Sequence, residues 1–560
     1  MKIFLAQQNY TIGHFSENLN KIKKACKEAI SNGGDLIVFC ELSISGYPPR
    51  DFLEFNDFID CCQKSINELL PLSKQIGILV GGPSINEIPE GKDLFNSAYL
   101  LAEGKVQGLA HKTLLPTYDI FDEYRYFEPS YERSVLEFKG LKLAVTVCED
   151  IWNLGDNPLY RICPMDELIA QDADIMINLS ASPFDYTHAE DRIAIVKANV
   201  EKYKIPMIYV NAVGAQTEML FDGGSLVFDS EANLIKEGKY FEEDLIEVNL
   251  NHDGAYDEEI KTETIKLRNE ELAPLHYDPD MHIDRVYNAL VMGIKDYFNK
   301  LGFEKAILGS SGGIDSALTQ ALASAALGGE NVRAVLMPSQ FSSDHSVNDA
   351  EKLSKNLHNP YDIIAIKPIY DSFMDQLKPV YQDLPFGLAE ENIQARSRGN
   401  LLMAIANKFN LILLNTSNKS ELATGYGTLY GDMAGGISVI GDVYKMQAYA
   451  LAKYINRQKE IIPNHIISKA PSAELRPNQK DSDSLPPYLE LDNILFQYIE
   501  RRQGPKEIVS MGYPSGLVHR ILKMVNRCEY KRNQFCPILR VSSKAFGVGR
   551  RLPIVGKYLE

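Results

Sequence analysis

Eight residues, Gly309-Ser310-Ser311-Gly312-Gly313-Ile314-Asp315-Ser316, stand between the short apolar run Lys305-Ala306-Ile307-Leu308 and an alanine-rich segment from Ala317 to Leu327. That order predicts strand, glycine-rich loop, helix. Such a loop aims backbone N–H groups at a helix N-terminus, where the partial positive charge favours a phosphate anion. The lysine of a Walker A sequence is missing, which directs attention away from γ-phosphate transfer. Two adjacent glycines are served equally well by a tight turn without a ligand. Asp315 shifts the balance, because it adds an oxygen ligand for Mg²⁺ where an ATP pyrophosphate would lie, and the serines beside it add hydroxyl donors.

The surrounding pattern sets the fold class. From His282 to Leu301 the sequence predicts a helix that leads into the loop. Beyond it, the apolar runs Val332 to Met337, Tyr361 to Ile366 and Leu411 to Leu414 alternate with helical segments near Ser346 to Asn356 and Ile393 to Asn407. This is the rhythm of an α/β, doubly wound parallel sheet, with ligands expected at the C-terminal ends of the strands. The last stretch, Lys445 to Glu560, reads as mostly helical and then basic.

The first half also alternates, with a different balance. Strands are expected at Ile3 to Gln8, Asp35 to Cys40, Gly77 to Gly81, Leu141 to Val147, Ile175 to Leu179, Met207 to Val210 and Gly224 to Phe228. Ala98 to Ala102 should pair with Lys105 to Ala110 across Glu103-Gly104, and helices are expected from Glu17 to Ile30 and from Asp57 to Ile76. Many strands with few helices predict a layered α/β domain of two sheets covered by helices. The pattern weakens between Glu247 and Asp280 into charged and turn-forming residues, which marks a boundary, although Glu259 to Leu267 could be ordered within it.

A chain of 560 residues is too long for one core and predicts about two to four domains. Its net charge of −17 argues against a nucleic-acid or membrane-surface protein, which needs clustered positive charge. No run approaches a membrane span, the N-terminus lacks the form of a signal peptide, and none of the 8 cysteines forms a Cys-x-x-Cys pair. These features predict reduced thiols and a cytoplasmic location.

Three strand ends in the first half carry capable side chains: Glu41 after Leu36 to Cys40, Lys112 after Leu109-Ala110-His111, and Cys148 after Leu143 to Val147. A thiol attacks as thiolate, glutamate can accept its proton, and lysine can hold a developing oxyanion. Taken singly, Cys148 reads equally as a buried core thiol, and Glu41 and Lys112 as solvated loop charges.

Three words in the order Glu, Lys, Cys narrow this: Phe39-Cys40-Glu41-Leu42-Ser43-Ile44-Ser45-Gly46-Tyr47, His111-Lys112-Thr113-Leu114-Leu115-Pro116-Thr117-Tyr118, and Val147-Cys148-Glu149-Asp150-Ile151-Trp152. They resemble the nitrilase, or carbon–nitrogen hydrolase, superfamily over residues 1 to 265. The resemblance implies an α-β-β-α sandwich with Cys148 as nucleophile, Glu41 as general base and Lys112 as the group that stabilises the intermediate. Glu123, in Phe121-Asp122-Glu123-Tyr124-Arg125-Tyr126-Phe127, falls where that family carries a supporting glutamate. Among glutamine-hydrolysing members, Tyr118 and Ser182 border the glutamine, and His188 stands where lysine or arginine is more usual.

In the second half Ser311-Gly312-Gly313-Ile314-Asp315-Ser316 is similar to the pyrophosphate loop of N-type ATP pyrophosphatases. Three further words, Asn392-Ile393-Gln394-Ala395-Arg396-Ser397-Arg398, Asn415-Thr416-Ser417-Asn418-Lys419-Ser420-Glu421 and Gly425 to Gly436, look like NAD synthetase, so that the chain resembles the glutamine-dependent NAD⁺ synthetases over its full length. The resemblance implies domains at 1–265 and 282–560, joined by a linker at 266–281. It implies ATP binding by Gly309, Ser310, Ser311, Gly312, Gly313, Ile314, Asp315, Ser316, Arg396, Thr416 and Lys445, with Lys445 at the phosphates. Asn392, Glu421, Asp432 and Lys531 would meet deamido-NAD⁺, and Asp315 and Glu421 would hold Mg²⁺. The resemblance further implies the small molecules glutamine, ATP and deamido-NAD⁺ as partners, internal delivery of ammonia, and a homo-oligomer.

Several of these residues keep a second reading. Glu421 also suits the first turn of a helix capped by Ser417 or Asn418. Asp432, in Tyr430-Gly431-Asp432, also suits a turn. Ser482 stands where an acidic residue often follows the aspartate of Asp481-Ser482-Asp483-Ser484, which leaves a metal role there open. The enzymatic rivals are an amidotransferase acting on another carbonyl and an amidase with a regulatory ATP domain.

Overall fold

The computed structural model describes residues 1–155, 158–250, 277–477, 479–483 and 485–559. The chain divides into two compact units, Met1–Leu272 and Ala273–Glu560. Of the linker expected at 266–281, residues 266–276 lie outside the described ones, as does the stretch Glu259 to Leu267. Tyr277 does not behave as linker: it is buried, and its ring packs edge-on against Tyr444 and tilted against Phe496 in the core of the second unit.

The first unit holds two six-stranded sheets. One contains β1 (Lys2–Gln7), β2 (Leu36–Phe39), β3 (Gly77–Ile85), β4 (Leu94–Ala102) and β5 (Lys105–His111); the other contains β6 (Leu136–Phe138), β7 (Leu141–Val147), β8 (Ile175–Ser180) and β9 (Met207–Asn211). A hairpin of β10 (Val213–Gln216) and β11 (Met219–Asp222) stands apart. After it come β12 (Leu226–Phe228) and β13 (Leu234–Glu237), which finish the second sheet, and β14 (Asp244–Asn249), which finishes the first. The orders are β14-β1-β2-β3-β4-β5 and β13-β12-β9-β8-β7-β6. In each sheet the middle three strands are parallel, β1-β2-β3 and β7-β8-β9, and the flanking pairs are antiparallel. Parallel strands buried on both faces read as continuous apolar runs, and this is why Leu36-Ile37-Val38-Phe39 and Leu143-Ala144-Val145-Thr146-Val147 lack a polar face.

Alternate residues of each strand divide the work. Leu143, Val145 and Val147 of β7 belong to the large apolar core that also takes in Ile37, Val38 and Phe39 from the two faces of β2. Ala144 and Met176 turn the other way and pack with Val196 and Val200 of the helix His188–Tyr203. Each large apolar side chain buried this way contributes about 1.5–3 kcal/mol. Helices Phe15–Ser31 and Asn56–Asn67 contribute Ile22, Cys26 and Ile66 to the first sheet's side, which completes the α-β-β-α sandwich.

Two local expectations change. The helix expected from Asp57 to Ile76 ends at Asn67 and is followed by a separate short 3₁₀ turn, Leu72–Lys74. Pro71 lies between them; it has no N–H to donate and disfavours helical backbone at Leu70. The weakening expected from Glu247 begins later, because Glu247–Asn249 pair with β1 as the last residues of β14.

The second unit is built on a five-stranded parallel sheet of β15 (Ala306–Gly309), β16 (Val332–Leu336), β17 (Tyr361–Ile363), β18 (Ile412–Asn415) and β19 (Ile437–Ser438). Its order is β17-β16-β15-β18-β19, and every neighbouring pair is parallel. Successive connections run outward one way from β15 and then reverse beyond it, so the switch point lies between β15 and β18. A crevice opens there at the strands' C-terminal ends. The helices Ile283–Leu301, Ile314–Leu327, Asp344–Asn356 and Leu388–Phe409 agree with the sequence reading within a few residues, and Lys367–Tyr381 is an additional one. The C-terminal region is helical through Arg532, and its basic residues partly turn inward. Arg532 is buried and donates to the carbonyls of Leu422, Ala423 and Val525.

Candidate active sites

The first site forms where strands of both sheets end. β2 delivers Glu41, β5 delivers Lys112, and β7 delivers Cys148 on the opposite sheet; all three are buried. Lys112 Nζ lies 2.8 Å from Glu41 Oε1 and 2.8 Å from Glu123 Oε2. Glu41 also accepts from Asn96 Nδ2 at 2.7 Å and from the Ala181 N–H at 3.0 Å, while Tyr47 OH donates to Glu123 Oε1 at 2.8 Å. Every carboxylate at this depth is thus hydrogen-bonded, as burial demands.

The charges do not cancel. Burial and the Glu41 charge hold the Glu123 carboxyl above its ordinary range, against the pull of Lys112. Burial works to lower the Lys112 ammonium, yet Glu123 and Glu41 outweigh it and hold the lysine charged. The Cys148 thiol is pushed well up, first by burial and then by Glu41, with Lys112 opposing. A resting thiol of this kind needs a base to give up its proton. Cys148 has φ +44°, left-handed backbone that a non-glycine residue adopts only when its surroundings hold it there. Asp150 supplies that hold: it accepts the N–H groups of Val147, Thr113 and Leu114, tying the nucleophile's turn to the segment after Lys112.

Beside this cluster lies a polar rim. Tyr118 OH donates to both oxygens of Glu149 at 3.0 Å, and Tyr160 OH approaches Glu149 Oε1 at 3.2 Å. Burial pushes Glu149 up to about 7. Ser182 Oγ lies 2.8 Å from His188 Nε2, and the His188 ring stacks on Trp152 with centroids 5.1 Å apart. The structure therefore brings Glu41, Lys112 and Glu123 into contact and pairs Ser182 with His188. Sequence reasoning misses Glu149 and Asp150. Their one sequence signal is that they directly follow an apolar strand and a candidate nucleophile, a place that suits solvated loop charges equally well. Asn96 and Tyr47 carry no such signal.

The second site is a cleft of about 530 Å³ at the switch point of the parallel sheet. Of the residues expected to meet ATP, deamido-NAD⁺ or Mg²⁺, all line it except Gly312. Gly312 has φ +75°, and a Cβ there would lie 2.2 Å from the Ser346 carbonyl oxygen, so its place is structural. Ser311 Oγ bridges the loop, accepting from Gly313 N and meeting Ser316 Oγ, whereas Ser310 Oγ turns inward to Gln320.

Asp315, Glu421 and Lys445 converge at one end. Lys445 Nζ lies 2.5 Å from Asp315 Oδ2 and 3.5 Å from Glu421 Oε1, and Asn418 Nδ2 donates to Asp315 Oδ1 at 2.9 Å. Burial, then the Asp315 charge, push Glu421 up to about 8. The helix reading of Glu421 is met, since Asn418 caps the helix Lys419–Thr424 and Glu421 completes its first turn; its side chain also lines the cleft. Asp432 likewise accepts from Thr428 N at 2.5 Å within a turn and still lines the cleft. At the other end Lys531 Nζ donates to the carbonyls of Gly425 and Gly427, Arg396 Nε donates to the Leu429 carbonyl, and Asn392 Oδ1 accepts from Thr428 Oγ1. Arg398, unassigned from sequence, also lines the cleft; burial draws its guanidinium down to about 10.

A buried thiol–carboxylate–lysine cluster on a double-sheet sandwich, carried in one chain with a doubly wound domain whose glycine loop opens a switch-point cleft, defines the class of amide hydrolase joined to nucleotide-using ligase. Comparison with known proteins agrees for each half: residues 2–257 match the carbon–nitrogen hydrolase family and 286–535 match NAD synthase. A glutamine-dependent NAD⁺ synthetase of Synechocystis is 44% identical over 559 residues, covering 99% of this chain and 98% of the relative. One from Thermotoga maritima is 39% identical over 100% of this chain and 99% of its own. The solved glutamine-dependent NAD⁺ synthetase of Acinetobacter baumannii, in complex with ADP, superposes with a TM-score of 0.76 at 36% identity, covering 99% of this chain and 98% of that one. The chain belongs to the glutamine-dependent NAD⁺ synthetase family.

Proposed function

We propose that this enzyme makes NAD⁺ from deamido-NAD⁺, ATP and glutamine, and that the two sites divide the reaction. In the second unit the carboxylate of deamido-NAD⁺ attacks the α-phosphorus of ATP and pyrophosphate leaves. In the first unit Cys148 Sγ attacks the glutamine amide carbon while Glu41 takes the thiol proton and returns it to the departing ammonia. Lys112, held charged and oriented by Glu41 and Glu123, donates to the oxyanion, and Glu41 then activates the water that releases glutamate from the thioester. Ammonia, delivered internally, displaces AMP from the adenylate to give NAD⁺. The adenylate is needed because a free carboxylate repels a nucleophile and has no good leaving group.

One observation carries the reading: a single cleft gathers every residue expected at the nucleotides except the structural Gly312. Glutamine is held by the rim of the first site, where the Glu149 carboxylate suits the α-ammonium, with Tyr118, Ser182 and His188 around it. Among the described residues no three His, Cys, Asp or Glu side chains are grouped to hold a metal by themselves. Asp315 and Glu421 nevertheless fit Mg²⁺, which uses one or two carboxylates and takes its other ligands from water and substrate phosphates. When bound, the ion neutralises charge on the leaving pyrophosphate; Lys445, already between the two carboxylates, is placed to contact the same phosphates.

All eight cysteines are free thiols, which supports a cytoplasmic location, and a homo-oligomer is part of the proposal, checked by light scattering. No helix among the described residues is long and apolar enough to cross a membrane. The deciding experiment supplies ATP and glutamine with a panel of carboxylates. Release of pyrophosphate and AMP with deamido-NAD⁺ alone is expected, and equal release with unrelated carboxylates would overturn the assignment.

A further inference from the structure

Lys445 is the first residue of the helix Lys445–Ile455, and the cap that this helix supplies for itself covers one donor outside it, the Tyr444 N–H, which Gln447 Oε1 accepts at 3.1 Å. Its N-cap residue, Tyr444, makes no side-chain capping bond, so the first N–H groups of the helix must be satisfied from elsewhere. Two other helices supply the partners. The Lys445 N–H donates to Ser420 Oγ at 3.0 Å, and the Met446 N–H donates to Asp492 Oδ2 at 2.8 Å. Ser420 Oγ in turn donates to Asp492 Oδ1 at 2.6 Å. One carboxylate, wholly buried on the helix Tyr488–Ile499, therefore closes a chain from Met446 through Ser420 to Lys445.

This chain adjoins the cleft, which Lys445 lines. Ser420 immediately precedes Glu421, and Lys445 is the residue whose ammonium meets both Asp315 and Glu421. We propose that Asp492 is a positioning residue for the adenylation step, which fixes Glu421 and Lys445 against Asp315 by satisfying, directly and through Ser420, the first two N–H groups of the helix that Lys445 opens. The inference rests on the proposed role of the cleft. Asp492 does not line the cleft, so it acts only through Ser420 and the backbone of Lys445 and Met446. A carboxyl group is suited to such a position, because its two oxygens take two donors at once; burial pushes it up to about 7, and the bonds from Ser420 and Met446 oppose that rise. Lys419, next in the same short helix, is braced separately by Asp442 and Glu500 at 2.9 Å each, so removing Asp492 loosens the joint between the helices without releasing the whole segment.

The test uses the full chain with ammonium as nitrogen donor, so that synthesis is read independently of Cys148. Asp492→Ala, Ser420→Ala and the double variant are compared with Asp315→Asn. Each single variant is expected to lower kcat about tenfold, the scale of losing one hydrogen bond to a charged group. Half-activating Mg²⁺ should rise severalfold, with the KM for ammonium and the basal glutaminase rate unchanged. The double variant should be no slower than Asp492→Ala, because both substitutions break one chain. Multiplying losses in the double variant, unchanged Mg²⁺ activation, or a kcat that falls only in step with the unfolded fraction would each overturn the proposal. If Asp492→Ala folds poorly, Ser420→Ala decides alone, since it leaves the carboxylate on Met446. Loss with Asp315→Asn beside wild-type behaviour of the Asp492 and Ser420 variants would defeat the positioning role only; wild-type pyrophosphate release by Asp315→Asn would defeat the reading of the cleft itself.

Discussion

Lys112 and Glu41 meet at 2.8 Å with both side chains entirely buried, and Glu123 shares the same ammonium. Removing the lysine leaves two carboxylates in a dry interior. Lys112→Met should therefore destabilise the first unit by about 3–5 kcal/mol at neutral pH as well as abolish glutamine hydrolysis. Denaturant unfolding checks the first outcome and a glutaminase assay the second; wild-type stability would mean that the cluster is hydrated and its charges weakly coupled.

Cys148→Ala should abolish NAD⁺ formation from glutamine and leave synthesis from added ammonium intact. Comparing initial rates with the two donors reads this directly, and equal loss of both would place Cys148 outside the amidase chemistry. Glu41→Gln should show the same pattern with a drop of about 10²–10⁴-fold in glutamine use, the usual range for removing a general base.

Glu149 gives the glutamine site a dependence on pH. Burial raises its carboxyl to about 7, so lowering the pH through 7 protonates it and removes the negative charge proposed to meet the substrate ammonium. The KM for glutamine should rise as pH falls below about 7 and level off above it. Glu149→Gln should have a high KM throughout and lose that slope; a slope that survives belongs to another group.

Gly312→Ala tests the loop at the second site. At φ +75°, with the Ser346 carbonyl 2.2 Å from the new Cβ, the substitution forces the loop away from the helix Asp344–Asn356. A loss of about 1–3 kcal/mol is expected from the backbone strain alone. ATP affinity, measured by calorimetry, should fall with it, while glutamine hydrolysis stays unchanged. Unaltered ATP binding would show that the loop's shape is not what receives the nucleotide.

Added ¹⁵N-ammonium, supplied with glutamine, tests internal delivery. The NAD⁺ amide should carry mainly the glutamine nitrogen. Label that enters as fast as it mixes in the bulk would mean that ammonia escapes before it reacts.

The sequence is most legible where backbone and chemistry impose the same pattern. Continuous apolar runs such as Leu36 to Phe39 announce the central parallel strands, and the loop at 309–316 announces the strand-to-helix turn, because burial on two faces and a phosphate-type turn each restrict residue choice severely. The expected helix across Pro71 fails where one residue outweighs a long amphipathic pattern. Asn96, which holds Glu41, is invisible because a hydrogen bond between residues 55 positions apart leaves no local trace. Asp492 is invisible for a related reason. It sits in an apolar helix like any exposed acid, and only the folded chain shows that it has closed the end of another helix.

The first site is divided between layers. Glu41 and Lys112 end strands of one sheet and Cys148 ends a strand of the other, with the shared apolar interior and a few hydrogen bonds, those of Asp150 and of Glu41 to Ala181, fixing their spacing. A molecule whose layers slip apart separates base from nucleophile before it exposes either to bulk water. Damage of that kind silences the thiol instead of unleashing it, and such a copy stops consuming glutamine.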